Sequence, residues 1–178
     1  MMKIFKVLLL ALTILTLNSF SAEISNINVS FKEDDMLLSF KADEVFVEEV
    51  ESKIKSGLEV VFRYEICIKK PRKFFSDPVL FRKILTTHVQ YDPFKNQYKL
   101  LKKIDDKVVE AKMTDSEKEM RLWMTSFSNM RFLLLSVLKK GSKYYIAIRG
   151  EFLSSSFFFL IPTGVKADWK RKDFVFEG

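Results

Sequence analysis

Twelve consecutive residues, from Leu58 to Lys69, alternate between apolar and mostly polar side chains. One face would carry Leu58, Val60, Phe62, Tyr64, Ile66 and Ile68, and the other would carry Glu59, Val61, Arg63, Glu65, Cys67 and Lys69. Successive side chains of a β-strand point to opposite faces. This two-residue alternation therefore predicts a strand of an antiparallel sheet, with one face covered by the core and the other more exposed to solvent. Pro71 then ends the strand, since proline cannot donate to a ladder.

Similar patterns recur along the chain, with turn-forming residues between the segments. They predict an opening hairpin around residues 32–35, a strand at 83–91, a hairpin around Asp105-Asp106, an apolar strand at 132–138, a hairpin turn at 139–142, a strand at 144–152, and one or two strands between 157 and 176. Successive strands are therefore joined mostly by short turns, which is typical of antiparallel sheets.

Two segments show the 3.6-residue period of amphipathic helices. The first would be capped by Asp43 and end at Gly57, with an apolar face formed by Phe46, Val47, Val50 and Ile54. The second follows a capping box at residues 114–117, with an apolar face formed by Met120, Trp123, Met124 and Phe127. We therefore predict an α+β fold, mainly antiparallel β (a sheet or a sandwich), with two short amphipathic helices packed on it.

The N-terminus has the features of a signal peptide. Lys3 and Lys6 precede an uncharged, mainly apolar run at residues 7–17, which is too short to span a bilayer comfortably. The small side chains of Ser19 and Ser21 favour cleavage after Ser21. We therefore predict a signal peptide at residues 1–21 and a single exported, periplasmic domain at residues 22–178; the alternative is a chain anchored in the inner membrane by an uncleaved N-terminus.

Charge and cysteine content limit the classes of function. The sequence has 30 Lys and Arg against 23 Asp and Glu, and the predicted cleavage removes Lys3 and Lys6. The remaining balance is mildly basic, which is well short of a nucleic-acid binder, so we predict no nucleic-acid partner. The single cysteine, Cys67, cannot form an internal disulfide, so an exported fold of this size must depend on its core.

Cys67 and His88 are the strongest candidates for catalytic chemistry, because each is the only residue of its type. Both fall on the polar faces of their predicted strands, so a thiol–imidazole pair would form only if those strands were neighbours. A packing role for Cys67 and a solvated position for His88 are the simpler interpretations. No third residue that would orient such a pair is identifiable from the spacing.

The acidic residues give no candidate site either. Glu59 and Glu65 share a strand face but lie about 20 Å apart, too far to act on one substrate, and Glu65 is expected to pair with Arg63 at the surface. The acidic runs at 33–35 and 105–106 lack the staged oxygen ligands of a calcium site. We therefore assign no catalytic, cofactor-binding or metal-binding residues, and no cofactor.

Two stretches combine basic and aromatic side chains. The first runs from Lys69 to Phe75; the second combines the apolar run Phe157–Ile161 with Lys166 and residues 169–172. Aromatic rings next to Lys and Arg suit the boundary of an anionic membrane. The alternative is that Phe157–Ile161 is a doubly buried strand and that the lysines lie on a solvated face.

Scattered residues along most of this sequence resemble one bacterial family. The resemblance rests on Gly57-Leu58, Phe62-x-Tyr64-Glu65, Tyr91-Asp92-Pro93 with Tyr98, Lys140-Gly141, and Tyr144-Tyr145 with Arg149 and Glu151. With these residues the chain resembles the uncharacterised family known as domain of unknown function 4390, whose members are typically short exported proteins of Gram-negative bacteria. The tail departs from the family pattern, because it offers Trp169 alone where members commonly carry several tryptophans. The resemblance implies location and architecture, and it brings no catalytic residues.

Three functions follow from these observations as hypotheses. We expect a non-enzymatic binding or interaction module of the periplasm or envelope, with an envelope protein as partner and peripheral contact with an anionic membrane surface. The alternative is a carrier of a small apolar ligand such as a lipid, whose Phe-rich strands would line a cavity. A thiol enzyme using Cys67 is the third hypothesis. The sequence leaves the oligomeric state open.

Overall fold

The computed structural model describes residues 22–154 and 164–177, which form nine strands and two α-helices. In chain order these are β1 (Glu23–Lys32), β2 (Asp35–Asp43), α1 (Glu48–Lys55), β3 (Val60–Lys69), β4 (Val79–Asp92), β5 (Gln97–Ile104), β6 (Lys107–Thr114), α2 (Glu117–Thr125), β7 (Ser126–Leu134), β8 (Ser142–Ser154) and β9 (Gly164–Phe176), with a 3₁₀ turn at Leu135–Val137. The predicted α+β class, mainly antiparallel β with two short helices, is confirmed.

The strands form two antiparallel sheets that share one core. The larger sheet has the order β6-β5-β4-β3-β8-β9, and the smaller sheet has the order β1-β2-β7. β3, the strand with the strict alternation, lies inside the larger sheet between β4 and β8. Its central position explains why five of its side chains are completely buried: Val60, Phe62, Tyr64, Ile66 and Ile68.

Aromatic rings fill the space between the sheets. The ring of Phe62 meets the ring of Phe152 at 5.0 Å between centroids, and the ring of Tyr64 meets that of Phe40 of the smaller sheet at 5.4 Å, both edge to face. The Tyr64 hydroxyl donates to the Met124 carbonyl at 2.8 Å, so this buried phenol is satisfied. The core is therefore held by specific ring contacts between the two sheets.

The first helix begins later than predicted. Asp43 belongs to β2 and accepts a hydrogen bond from Ser25, whereas α1 starts after Val47 without a side-chain cap. Phe46 therefore precedes the helix, and Val50 and Ile54 form its buried side. Gly57 adopts a φ of 79° just after the helix, which confirms its predicted role at the C-terminal end.

The second helix and the strand after it also differ from the prediction in their limits. The cap is Ser116, which accepts from the Glu119 amide, so the helix is capped two residues later than expected, and the Ser116 amide donates to the Thr114 hydroxyl. Phe127 lies in β7 opposite Phe40, because pairing with β2 ends the helix at Thr125. The turn at 139–142 joins strands of different sheets, so the predicted hairpin there is wrong: β7 pairs with β2, and β8 pairs with β3 and β9.

Candidate functional site

The loop between β3 and β4, residues 70–78, carries two exposed phenylalanines side by side. Phe74 is 88% exposed and Phe75 is 77% exposed, and the first residues of β4, Val79 and Leu80, are exposed apolar residues as well. Lys70, Arg72 and Lys73 in the same loop are exposed as well. We call residues 70–78 the aromatic loop. Exposed large apolar side chains close together in a loop indicate a contact site, and here three cationic residues of the same loop precede them.

Three hydrogen bonds close the base of the aromatic loop. The Lys70 amide donates to the Pro78 carbonyl at 3.3 Å, and the Arg72 amide donates to the Asp77 carboxylate at 2.7 Å. The Tyr145 hydroxyl of β8 donates to the other Asp77 oxygen, also at 2.7 Å. The single acid of the loop is therefore turned inward to hold the loop, which leaves a basic and aromatic tip.

The pair formed by Asp77 and Tyr145 has shifted acidities. The hydrogen bond from Tyr145, followed by that from the Arg72 amide, lowers the pKa of Asp77. Burial, the hydrogen bond to Asp77 and its negative charge raise the pKa of Tyr145 to about 12. The contribution of Asp77 to the free energy of unfolding is present above the pKa of Asp77 in the unfolded chain, and it is lost as pH falls through the lowered pKa of the folded protein. The contribution of Tyr145 is present below the pKa of Tyr145 in the unfolded chain, and it is lost as pH rises towards 12. The loop attachment is therefore strongest between these limits.

Replacing Asp77 with asparagine is expected to lower the pKa of Tyr145, because the neighbouring negative charge is removed. Ultraviolet difference titration of the phenol measures this, and Tyr145→Phe assigns the signal. Asp77→Asn should also speed amide hydrogen exchange in residues 70–78 and leave exchange in the Asp92–Gln97 turn unchanged. A Tyr145 titration that is unaffected by Asp77→Asn would contradict the assigned pairing.

Glu65 lies on the outer face of the larger sheet but is buried under two arginines. Its carboxylate accepts from the Arg82 Nε atom of β4 at 2.8 Å and from the Arg149 Nε atom of β8 at 2.8 Å. The Trp169 ring lies 4.9 Å from the Arg149 guanidinium. The expected pairing of Glu65 with Arg63 is wrong, because Arg63 instead pairs with Glu151.

Cys67 and His88 lie on the same outer face but are far apart. Their strands are neighbours; Cys67 is opposite Arg82, whereas His88 is opposite Val61. Six register positions separate the two side chains along the sheet, which corresponds to about 20 Å. The structure therefore does not bring a thiol–imidazole pair together.

Cys67 is expected to react slowly with alkylating reagents in the folded protein. Its side chain is buried, and burial together with the charge of Glu65 raises the pKa of the thiol. Because the thiolate is the reactive form, the alkylation rate should rise only at a higher pH than for a free cysteine. A rate profile with iodoacetamide, with and without denaturant, measures this. Rapid modification of the native protein near neutral pH would contradict it.

His88 lies between a hydroxyl and a carboxylate in a chain of hydrogen bonds that the sequence pattern did not suggest. Its Nδ1 atom lies 3.0 Å from the Glu59 carboxylate, and its Nε2 atom lies 3.2 Å from the Thr86 hydroxyl. The order hydroxyl, imidazole, carboxylate matches a nucleophile with its base and orienting acid. However, Thr86 pairs with Arg63 of β3 on one side and Lys103 of β5 on the other. The backbone amides around Thr86 are therefore hydrogen-bonded to the neighbouring strands on both sides. Because no amide of this stretch of β4 is left to form an oxyanion hole, the hydrogen bonds of His88 are better explained as a structural contact.

The acidic runs occupy turns, as the sequence suggested, except that Asp35 is the first residue of β2. Glu33 and both Asp105 and Asp106 have positive φ values, and Asp105 accepts a hydrogen bond from the Ile84 amide. Asp35 pairs with Arg131 of β7. Within residues 22–154 and 164–177, no group of three or more His, Cys, Asp or Glu side chains is arranged to hold a metal ion.

The second basic–aromatic stretch is described only in part. Phe157–Ile161 and the predicted signal peptide lie outside the described residues, whereas Lys166 and residues 169–172 belong to β9. In that strand the Arg171 guanidinium stacks on the Tyr145 ring at 3.9 Å. This contact places a further cation beside the base of the aromatic loop. In the described part of the chain, no helix has the length and apolar character needed to cross a bilayer.

The fold and surface define a mainly antiparallel α+β domain with an exposed basic and aromatic loop. The family model described as "Domain of unknown function (DUF4390)" matches residues 20–157. This chain therefore belongs to the DUF4390 family, as the resemblance indicated. No curated protein and no solved structure matches the chain.

Proposed function

We propose that this protein is a non-catalytic interaction module of the bacterial envelope, and that it meets an anionic membrane surface with its aromatic loop. The observation that carries the proposal is the adjacent pair Phe74 and Phe75, both highly exposed and preceded in the same loop by the exposed Lys70, Arg72 and Lys73. Rings of this kind bury themselves at the boundary of the headgroups, and cations nearby are attracted to anionic lipid.

The way the loop is held supports the same function. Asp77 is bound by Tyr145 and the Arg72 amide, so its charge faces the base of the loop, and the tip presents cations. A loop closed at its base loses less conformational freedom on binding than an open segment would. The aromatic loop is therefore preorganised for contact with a surface.

The packing of the core favours an interaction module over a small-ligand carrier. Large rings occupy inward positions of both β3 and β8, with Tyr64 and Phe152 only 5.7 Å apart between centroids. A carrier would instead need an apolar space between the sheets. Mass spectrometry of the natively purified protein separates the two, because a carrier would retain lipid.

Export is a separate part of the proposal and rests on Lys3, Lys6 and the apolar run at 7–17. Cell fractionation should place the full chain in the periplasmic or envelope fraction, and a chain that lacks residues 1–21 in the cytoplasm. If both versions appear in the same compartment, residues 1–21 are not an export signal.

Flotation with lipid vesicles tests the membrane contact. The purified protein should float with vesicles that contain phosphatidylglycerol at low salt, and less at high salt, because salt screens the attraction. It should float weakly with pure phosphatidylcholine vesicles. If none floats with the anionic vesicles at low salt, the proposed membrane contact is wrong.

A further inference from the structure

The smaller sheet leaves part of the larger sheet uncovered. β7 is one of the two edge strands of the smaller sheet and, among the described residues, pairs with β2 alone. The Lys83 ammonium of β4 donates to the Phe132 carbonyl at 2.6 Å, so the far end of β7 lies above β4. The hairpin of β5 and β6 lies beyond β4 in the larger sheet, and seven of the eight residues of β6 are exposed.

A groove of about 470 Å³ lies between the edge of β7 and this hairpin. Ile104 and Val109 of the hairpin form apolar parts of one wall, and Phe127 and Met130 of β7 form apolar parts of the other. The helix α2 joins the end of β6 to the start of β7, so the two walls of the groove are connected through it. The groove therefore combines an unpaired strand edge with apolar side chains.

An extended polypeptide fits these features better than a compact small molecule does. An edge strand presents backbone donors and acceptors that another strand can satisfy. Along β7 this edge is interrupted by two register shifts in its pairing with β2, and Asn129 has a φ of 49°. The groove follows β7 from Ser126 to Arg131, which is about 17 Å of strand. Alternate side chains of the added segment would then meet the apolar walls.

The charges along the groove indicate which segment it would accept. Lys102 is less accessible, because its ammonium bonds the Glu110 carboxylate at 3.0 Å, lies 4.1 Å from the Trp123 ring centroid, and its side chain is only 16% exposed. Arg131 pairs with Asp35, but its side chain is 78% exposed and keeps free donors. An acidic side chain of the segment could bind there without displacing another contact.

We propose that β7 accepts an extended segment of a partner protein as a fourth strand of the smaller sheet. The segment carries β-branched or other apolar residues at alternate positions, and an acidic residue that pairs with Arg131. This site is separate from the aromatic loop, so either the membrane contact or the strand addition can be wrong without affecting the other.

Two neighbouring valines on β6 provide a matched pair of variants. Val109 lines the groove and is 52% exposed, whereas Val108 is opposite Lys103, does not line the groove, and is 59% exposed. Val109→Lys places a charge against the segment, whereas Val108→Lys places the same charge outside the groove. Because both positions are exposed, both variants should fold, and thermal unfolding verifies this.

The probe is a phage-displayed library of random octapeptides, selected on the wild-type protein and counter-selected on Val109→Lys. Enriched peptides should have alternating apolar residues and an acidic residue. As synthetic peptides, they should bind Val109→Lys at least roughly 10-fold more weakly than wild type and bind Val108→Lys equally well. They should also protect amides of Ser126–Arg131 from hydrogen exchange.

Three results would overturn the proposal. The first is a selection that enriches no peptide. The second is binding that Val108→Lys weakens as much as Val109→Lys does. The third is binding that leaves the exchange of the β7 amides unchanged, since the segment would then not be paired with this strand.

Discussion

Replacing Phe74 and Phe75 together with serine is expected to weaken binding to anionic vesicles by roughly 100-fold. Complete burial of a phenylalanine stabilises by about 1.5–3 kcal/mol, and a headgroup boundary should provide the lower end of that range. The two rings together then contribute about 3 kcal/mol, and each ~1.4 kcal/mol is a factor of ten in affinity. The free energy of unfolding should change little, because both rings are exposed in the folded chain. Vesicle co-sedimentation over a lipid titration measures the change.

Phe94 provides the matched control for this prediction. It is 99% exposed, Lys95 follows it directly, and it belongs to the turn at the other end of β4. Phe94→Ser removes an equally accessible ring from a similar charged setting, but not from the aromatic loop. Its affinity for vesicles should therefore match that of the wild type. If Phe94→Ser weakens binding as much as the double variant does, the contact is nonspecific and the aromatic loop has no special role.

The largest expected effect on stability concerns Gly150 and Phe152 of β8. Phe152 is buried between Phe62 and Tyr64, so Phe152→Ala should lower the free energy of unfolding by about 3–5 kcal/mol. A Cβ at position 150 would lie 2.4 Å from the end of the Phe152 ring. Because that ring is packed on other sides, Gly150→Ala should cost about 1–3 kcal/mol.

The two substitutions should be strongly non-additive. In the Phe152→Ala background the clash is absent, so Gly150→Ala should be nearly neutral there, with a coupling of about 1 kcal/mol or more. Denaturant unfolding of the wild type, the two single variants and the double variant measures this coupling. As a control at an exposed ring, Phe94→Ala should change the free energy of unfolding by less than about 0.5 kcal/mol. Additive losses would mean that the Phe152 ring can move away from position 150.

The alternation along β3 was sufficient to predict its inward face, because side chains follow the pleat whatever the neighbouring strands are. The burial of Glu65 and Cys67 on the opposite face could not be predicted in the same way. Arg82 and Arg149, which cover Glu65, come from strands whose register only the folded sheet determines. The same register keeps Cys67 and His88 apart, although both residues lie on the face that the pattern predicted.

Tertiary pairing also explains the errors at the ends of elements. Phe127 continues the helical period of α2, but β7 already pairs with β2 at that point, and the strand takes precedence over the local pattern. Asp43 resembles a helix cap by its position, yet it bonds Ser25 across the first hairpin. The residues of the turn at 139–142 indicate a reversal of the chain, but they carry no information about which strands pair afterwards.

The sequence predicted the composition of the aromatic loop but not its presentation. Basic and aromatic residues from Lys69 to Phe75 were compatible with a membrane contact or with ordinary solvated and packed positions. The fold distinguishes these cases, because the hydrogen bonds of Asp77 with Tyr145 and the Arg72 amide close the base and leave Phe74 and Phe75 exposed. Tyr145 is distant in sequence, so the local pattern could not indicate this anchor.

An environment-sensitive fluorophore at the tip of the aromatic loop tests the central claim most directly. Phe75→Cys and Phe94→Cys, each combined with Cys67→Ser, are labelled with a nitrobenzoxadiazole dye and mixed with anionic vesicles at low salt. Insertion of the loop predicts a blue shift and an intensity increase at position 75, with no change at position 94. An unchanged spectrum at position 75, or an equal shift at both positions, would contradict the proposal that this protein meets the membrane with its aromatic loop.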